Sequence, residues 1–212
     1  MKNFIIKKID WDKEKHGLIW QCIDVFTQEE LVYINKQIAT SVVPASAIIA
    51  AYQGQFLSSI RDRLAPIVCD LYSSLRQEYK NEGISVFADN DAYSITYYKH
   101  CWTLTHGLNC TVDVHLQAAA QGLNYPIHPD TENKLLSFLV YVSPKEQEPT
   151  YFHQGDKEGM YKEQDPDPIK TVPWKVNTGY MFIANDLSMH SCANTKFNTD
   201  RWVVMCTIRA TL

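Results

Sequence analysis

Two histidines and one aspartate in this sequence stand in contexts that suit a metal ion. In Pro126-Ile127-His128-Pro129-Asp130-Thr131 an imidazole and a carboxylate lie two residues apart. On an extended segment both project to the same side and can reach one ion. Pro129 between them keeps the backbone extended and holds His128 out of the helical region. The second context is Asn177-Thr178-Gly179-Tyr180-Met181-Phe182-Ile183-Ala184-Asn185-Asp186-Leu187-Ser188-Met189-His190, an apolar run, a polar turn and then a histidine. Two neutral imidazoles and one carboxylate form a facial triad suited to iron(II), and such a triad leaves coordination positions open. A bidentate 2-oxo acid and dioxygen can fill them. The far carboxylate of such an acid needs a cation, and a guanidinium meets it with a planar, permanently charged fork. Arg201, eleven positions after His190, opens the last apolar run and is placed for that role if that run lies antiparallel to the strand carrying His190.

Other polar residues compete for attention. Asp113-Val114-His115 is an alternative metal pair, although the polar face of a strand explains it better. Cys192 lies two residues from His190 but has no base partner in the sequence, which argues against a nucleophilic role. Arg209 is a second basic residue on the last run and could share or replace the anchoring role of Arg201. Tyr97, Tyr98, Trp102 and Trp174 suit either a cavity wall or the core.

The elements that must position these groups are legible as two kinds of pattern. Thr27-Gln28-Glu29-Glu30 is a capping box, and Leu31, Ile34 and Ile38 repeat behind it, predicting a helix over about 28–39. Phe56, Ile60, Leu64, Ile67, Leu71, Leu75 and Tyr79 form an apolar stripe, predicting helix over about 54–80 with Pro66 as a kink or division. Short strands are expected at 4–6 and within 18–25. Further β-prone runs occupy 92–99, 111–116, 135–142, 178–183 and 202–209. The stretch from Lys145 to Lys170 has seven acids, four lysines, three prolines and two glycines, and reads as a lid-like loop or a surface insertion.

The order of these residues resembles the iron(II)/2-oxoglutarate-dependent oxygenases. The matching segments are "HPDTENKLLSFLVYVSP" with His128 and Asp130, "NTGYMFIANDLSMHSC" with His190, and "TDRWVVMCTIRA" with Arg201. The helix opened by "FTQEELVYI" is similar to that family's support helix. The resemblance implies an α+β chain: a double-stranded β-helix (jelly-roll) core over about 84–212, with N-terminal supporting helices over about 27–80. It implies His128, Asp130 and His190 as iron(II) ligands and Arg201 as the 2-oxoglutarate anchor. The implied activity converts 2-oxoglutarate and O2 to succinate and CO2 while hydroxylating a C–H bond of a small-molecule substrate. Departures remain. The segment between Tyr97 and His128 is long, which points to an insertion over the site around 106–122. Asp130 is a carboxylate, whereas halogenases of the family have a small residue there.

Composition sets further expectations. The 212 residues fit one domain, and 45% hydrophobic with 21% charged residues is ordinary for a soluble globular chain. A net charge of -4 gives no global basic field for nucleic acid. No run is long enough to span a membrane. Six cysteines without a CxxC pair, behind an N-terminus lacking a secretory h-region, fit free thiols and a cytoplasmic location. Two alternatives stand beside the main reading. One is a peptide or prolyl hydroxylase of the same class, whose acidic stretch 146–167 meets a basic peptide. The other is a cupin-like metal protein that does not use 2-oxoglutarate.

Overall fold

The computed structural model describes residues 4–9, 17–43, 50–52, 55–83, 95–98, 101–104, 109–130, 134–154, 168–185 and 187–211. Its elements in chain order are β1 (Ile5–Lys8), β2 (Trp20–Ile23), α1 (Gln28–Thr40), β3 (Ala50–Tyr52), α2 (Gln55–Asn81), β4 (Ile95–Tyr98), β5 (Cys101–Leu104), β6 (Asn109–Ala119), β7 (Asn124–His128), β8 (Lys134–Ser143), β9 (Thr150–Phe152), β10 (Lys170–Val172), β11 (Thr178–Ile183), β12 (His190–Ala193) and β13 (Arg201–Thr211). They form two antiparallel sheets. The larger runs β1-β2-β11-β8-β13-β6-β5-β4 with β3 added beside β6, and the smaller runs β10-β9-β12-β7.

Period-two alternation sorts the side chains of the larger sheet into two cores. On β13, Trp202, Val204, Cys206 and Ile208 face one way, with Leu136, Phe138, Val140 and Val142 of β8 and Val112, Val114 and Leu116 of β6. Helix α2 covers this face through Leu57, Ile60, Leu64, Val68, Tyr72, Leu75 and Tyr79. The opposite face looks toward the smaller sheet, where Leu139, Tyr141, Tyr180, Phe182 and Val203 meet Phe152 and Val172. Strand β8 is thus covered on both sides. That explains why Leu135-Leu136-Ser137-Phe138-Leu139-Val140-Tyr141-Val142 reads as a continuous apolar run rather than an alternation.

The capping box forms as expected: Thr27 Oγ1 accepts from Glu30 N at 3.2 Å, and Thr27 N donates to Glu30 Oε2 at 2.8 Å. Glu30 also takes a bidentate fork from Arg63 of α2, at 2.7 and 2.9 Å, which ties the two helices together. Pro66 lies inside α2, which runs through it undivided. The buried stripe also differs from the expected one, since Val68 and Tyr72 are fully buried whereas Ile67 and Leu71 are partly so. Tyr79 fastens the end of α2 to the sheet, donating to Leu18 O at 2.6 Å and accepting from Leu18 N at 3.2 Å.

Two further expectations change. Residues 109–119 are no insertion over the site but a long strand, paired with β13 along its whole length from Arg201↔Ala119 to Thr211↔Asn109; residues 105–108 lie outside the described part. The stretch 145–170 is ordered at both ends, where β9 and β10 pair, while 155–167 lies outside the described residues. Side chains of Tyr97, Tyr98 and Trp102 also lie outside them. No helix among the described residues is long and apolar enough to cross a membrane.

Glycine at 179 is required by strand contact. A Cβ built there would sit 1.8 Å from Leu139 O on the neighbouring β8. Retreat is restricted, because Gly179–Ile183 of β11 pairs with Leu136–Val140 of β8, β2 pairs along the other edge of β11, and Asn177 N donates to Tyr141 O at 2.8 Å just before the contact. Gly179→Ala is expected to cost about 3 kcal/mol or more, the upper end of overpacking losses. Urea denaturation checks this, and a change within experimental error would contradict the close packing of β11 on β8.

Candidate active site

Backbone pairing brings the first two imidazoles together. His128 ends β7, His190 begins β12, and the two residues are directly opposite in the antiparallel ladder. Their ring centroids are 4.4 Å apart. His128 Nδ1 lies 2.9 Å from Pro126 O, and His190 Nδ1 lies 2.9 Å from Ser188 O. A carbonyl only accepts, so each Nδ1 carries the proton and each Nε2 presents its lone pair. Asp130 leaves the end of β7 toward β8 and is buried. One of its oxygens accepts from Ser137 Oγ and the other from Lys134 Nζ. One ligand atom from each of His128, Asp130 and His190 lies within 4.8 Å of the others. A neutral-imidazole pair with a carboxylate is a donor set that fits a divalent first-row metal.

Electrostatics keep this set in its ligating form. Desolvation pushes the His190 imidazole down from its ordinary 6.5 to about 4; His128 adds to this, and Asp130 opposes it. Desolvation also lowers His128, against the opposing pull of Pro126 O and Asp130. Burial disfavours the charged form of Asp130, but His190, Lys134 and Ser137 outweigh it and hold the carboxyl below its usual range. Both imidazoles are therefore neutral near pH 7 and the carboxylate is ionised.

The triad borders a cavity of about 230 Å³ between the sheets. Its roof is the odd-numbered face of β13, from Arg201 through Val203, Met205 and Thr207 to Arg209. The sequence conditioned the role of Arg201 on a run antiparallel to the strand carrying His190, and these two strands do not pair. The strand of Arg201 belongs to the larger sheet and β12 to the smaller. Instead the side chain crosses between the sheets. Arg201 Nη1 donates to Glu148 O at 2.9 Å, Pro149 O at 3.2 Å and Ala193 O at 3.4 Å, and Nη2 donates to Thr150 Oγ1 at 2.8 Å. The guanidinium carbon sits 4.9 Å from the Trp174 ring centroid and 5.6 Å from that of Tyr141. Arg201 is 3% exposed, yet among the described residues no carboxylate pairs with it. The Glu148 carboxylate is turned elsewhere, accepting from Thr195 N and Lys196 N at 2.5 and 3.1 Å. A buried cation held only by neutral acceptors is costly, and an incoming anion relieves that cost.

The competing residues take other places. Asp113 pairs with Arg209 at 3.6 Å. His115 lines the cavity, two positions along the same strand, and does not join the metal cluster. Cys192 also lines it, but desolvation raises its thiol, which does not favour a nucleophile. Trp174 stacks on Tyr141 and donates from Nε1 to Pro144 O at 2.8 Å, so it packs rather than lining the cavity. His153 binds Ser191 Oγ at 2.8 Å. Sequence reading passed over Ser137 and Lys134, although a lone hydroxyl inside an apolar strand was a visible signal for the first. It also passed over Asn194, whose fully buried side chain donates to Ala119 O, Ala120 O and Thr199 O and accepts from Gln147 Nε2 at 2.8 Å. That hub ties the turn before β7, the segment before β9 and the turn before β13, which fixes the strands carrying His128, His190 and Arg201.

Solved structures with this fold include a viral collagen prolyl hydroxylase from Paramecium Bursaria Chlorella virus-1 in a 2-oxoglutarate complex. It has 13% identity and a TM-score of 0.53, covering 92% of this chain and 96% of that one. A prolyl-4-hydroxylase from Pseudomonas putida has 11% identity and a TM-score of 0.53, covering 95% and 96%. The non-heme α-ketoglutarate-dependent epimerase SnoN of nogalamycin biosynthesis has 14% identity and a TM-score of 0.55, covering 93% and 80%. No protein-family model and no curated protein sequence matches this chain. At 11–14% identity the likeness to these proteins is one of fold.

The lowered imidazoles make a stability prediction for the metal-free protein. Where a histidine's folded pKa lies below its unfolded one, the unfolded chain binds protons first and stability falls as pH drops. The His190 contribution is intact above 6.5 and is lost progressively down to about 4. His190→Gln is expected to flatten the decline in denaturation midpoint over that window. An unchanged slope would show that His190 is not desolvated.

Proposed function

We propose that this chain is an iron(II)- and 2-oxoglutarate-dependent oxygenase built on a double-stranded β-helix, hydroxylating a C–H bond of a small-molecule substrate. One observation carries the reading: the His128, Asp130 and His190 ligand atoms share a cavity with a buried guanidinium that has no carboxylate partner among the described residues. His128, Asp130 and His190 would hold the metal, and Arg201 would hold the far carboxylate of 2-oxoglutarate. Iron(II) there would supply the redox chemistry that couples oxidation of the 2-oxo acid to use of O2.

The residues of this chain account for orientation and dryness. Pro126 O and Ser188 O fix the tautomers, so both Nε2 atoms point inward. Ser137 and Lys134 orient the Asp130 carboxylate, one at each oxygen. Tyr180, Phe182 and Leu139 line the cavity with apolar surface and exclude water from the reacting atoms. Thr150 Oγ1 steadies Arg201 and is a second hydrogen-bonding group at that end. The overall reaction balances as 2-oxoglutarate, O2 and R–H giving succinate, CO2 and R–OH, with one oxygen atom entering succinate and the other the product. A cavity of about 230 Å³ supports a small substrate group over a bulky one.

The prediction is direct. Anaerobic addition of iron(II) and 2-oxoglutarate should give a weak visible metal-to-ligand charge-transfer band. His190→Ala should remove it, and Arg201→Gln should raise the 2-oxoglutarate concentration needed by about 100-fold, as expected when a charge-assisted bidentate contact is lost. If no band forms, the oxygenase reading fails. If Arg201→Gln is without effect while metal still binds, a cupin-like protein becomes the better description.

A further inference from the structure

Strand β13 carries two arginines on its cavity face, and the proposed reaction assigns only one. Alternation places Arg201, Val203, Met205, Thr207 and Arg209 along the same wall. The two arginines are eight positions apart (201 to 209), about 26 Å of strand at the usual rise per residue. A five-carbon diacid anchored at Arg201 cannot extend to Arg209.

The far end is built around a polar group that the fold leaves unused. Thr207 is fully buried, and its Oγ1 has no hydrogen-bond partner among the described residues. A buried hydroxyl in that condition is rare and unfavourable unless something else binds there. Register places Thr207 between Asp113 of β6 and Ser137 of β8. Ser137 is the residue that donates to Asp130, so Thr207 lies next to the triad and not remote from it. One step further along, Arg209 is opposite Lys134. Both side chains line the cavity. Arg209 is about one-third exposed and meets Asp113 through a contact of 3.6 Å, a loose pair at the mouth. Lys134 is only 16% exposed, and its ion-pair partner is the Asp130 carboxylate. Its ammonium lines the cavity beside Arg209 and adds positive charge to that wall.

We propose that Thr207, Arg209 and Lys134 form a subsite for the carboxylate of a small organic-acid substrate, a proposal that rests on the oxygenase reading above. Arg209 supplies a planar fork at the mouth, Lys134 a second positive charge, and Thr207 a hydroxyl donor deeper in. The substrate then lies along β13 with its anionic end at Arg209 and its carbon skeleton over Met205, against the triad. The co-substrate occupies the opposite direction, toward Arg201.

The test uses the full-length chain loaded with nickel(II) and saturating 2-oxoglutarate. Its probes are a panel of three- to eight-carbon monocarboxylic acids and their matched primary amides, followed by saturation-transfer NMR. Acids should bind, with the amides at least tenfold weaker. Arg209→Gln and Thr207→Val should each weaken acid binding at least tenfold while leaving the iron(II)/2-oxoglutarate band in place. Thr207→Val should also leave the melting temperature unchanged or raised, because the lost hydroxyl has no partner among the described residues. Acids and amides binding alike, no acid binding, or loss of the band in Arg209→Gln would each overturn the subsite. Absence of the band in the unaltered chain would instead sink the oxygenase reading, so the two failures are distinguishable.

Discussion

The site depends on one register: His190 opposite His128 in the pairing of β12 with β7. Side chains alternate along a strand, so a slip of one residue would turn one imidazole out of the cavity and destroy the donor set. Such short strands do not secure a register by themselves. β12 spans only His190–Ala193 and β7 only Asn124–His128. The register is held from outside the ladder. Asn194 donates to backbone on two segments, at Ala119–Ala120 and at Thr199, and accepts from the Gln147 side chain of a third, while Asn185 and Ser188 lock the turn that delivers His190, with Ser188 Oγ donating to Asn185 O at 2.7 Å. Buried, fully satisfied polar groups of this kind specify one arrangement because any alternative leaves them unpaired.

The larger sheet contributes in a different way. Its outer face is sealed by α2, so β8, β11 and β13 form a rigid platform. Arg201 links that platform to the smaller sheet by crossing to Glu148 O, Pro149 O and Ala193 O. The histidines of the His128, Asp130 and His190 cluster and the guanidinium thus come from different sheets that Arg201 joins. Trp174 and Tyr141 flank the guanidinium and limit its movement, as aromatic faces do for a cation. A charged side chain so fixed and so dry is preorganised for an anion, which is where electrostatic binding is strongest.

Much of this was legible in the sequence, for reasons that differ by residue. His128 and Asp130 were readable because their chemistry and their two-residue spacing are local, with Pro129 fixing the backbone between them. The helix at 28–40 was readable from its capping box, and β11 at 178–183 from its composition. His190 required the order of distant segments, and Arg201 stood out by its spacing from His190, while the strand arrangement its role was conditioned on could not be read. Sequence patterns report the period of a strand but not the sheet it joins, so they could not tell that β12 and β13 lie in different sheets. Short strands such as β9, β10 and β12 carry too few residues for a period to emerge. Asn194 and Thr207 escaped because nothing local distinguishes a buried amide or hydroxyl from an exposed one; Asn194 becomes visible only when three segments converge on it.

The central claim is that His128, Asp130 and His190 bind one metal together. X-ray absorption of the iron(II)-loaded chain tests it most directly, because imidazole rings leave a distinct outer-shell scattering pattern. The account predicts one iron per chain with two imidazoles and otherwise oxygen ligands, falling to one imidazole in His190→Ala. A first shell without imidazole, or one containing sulfur from the nearby Cys192, would contradict it.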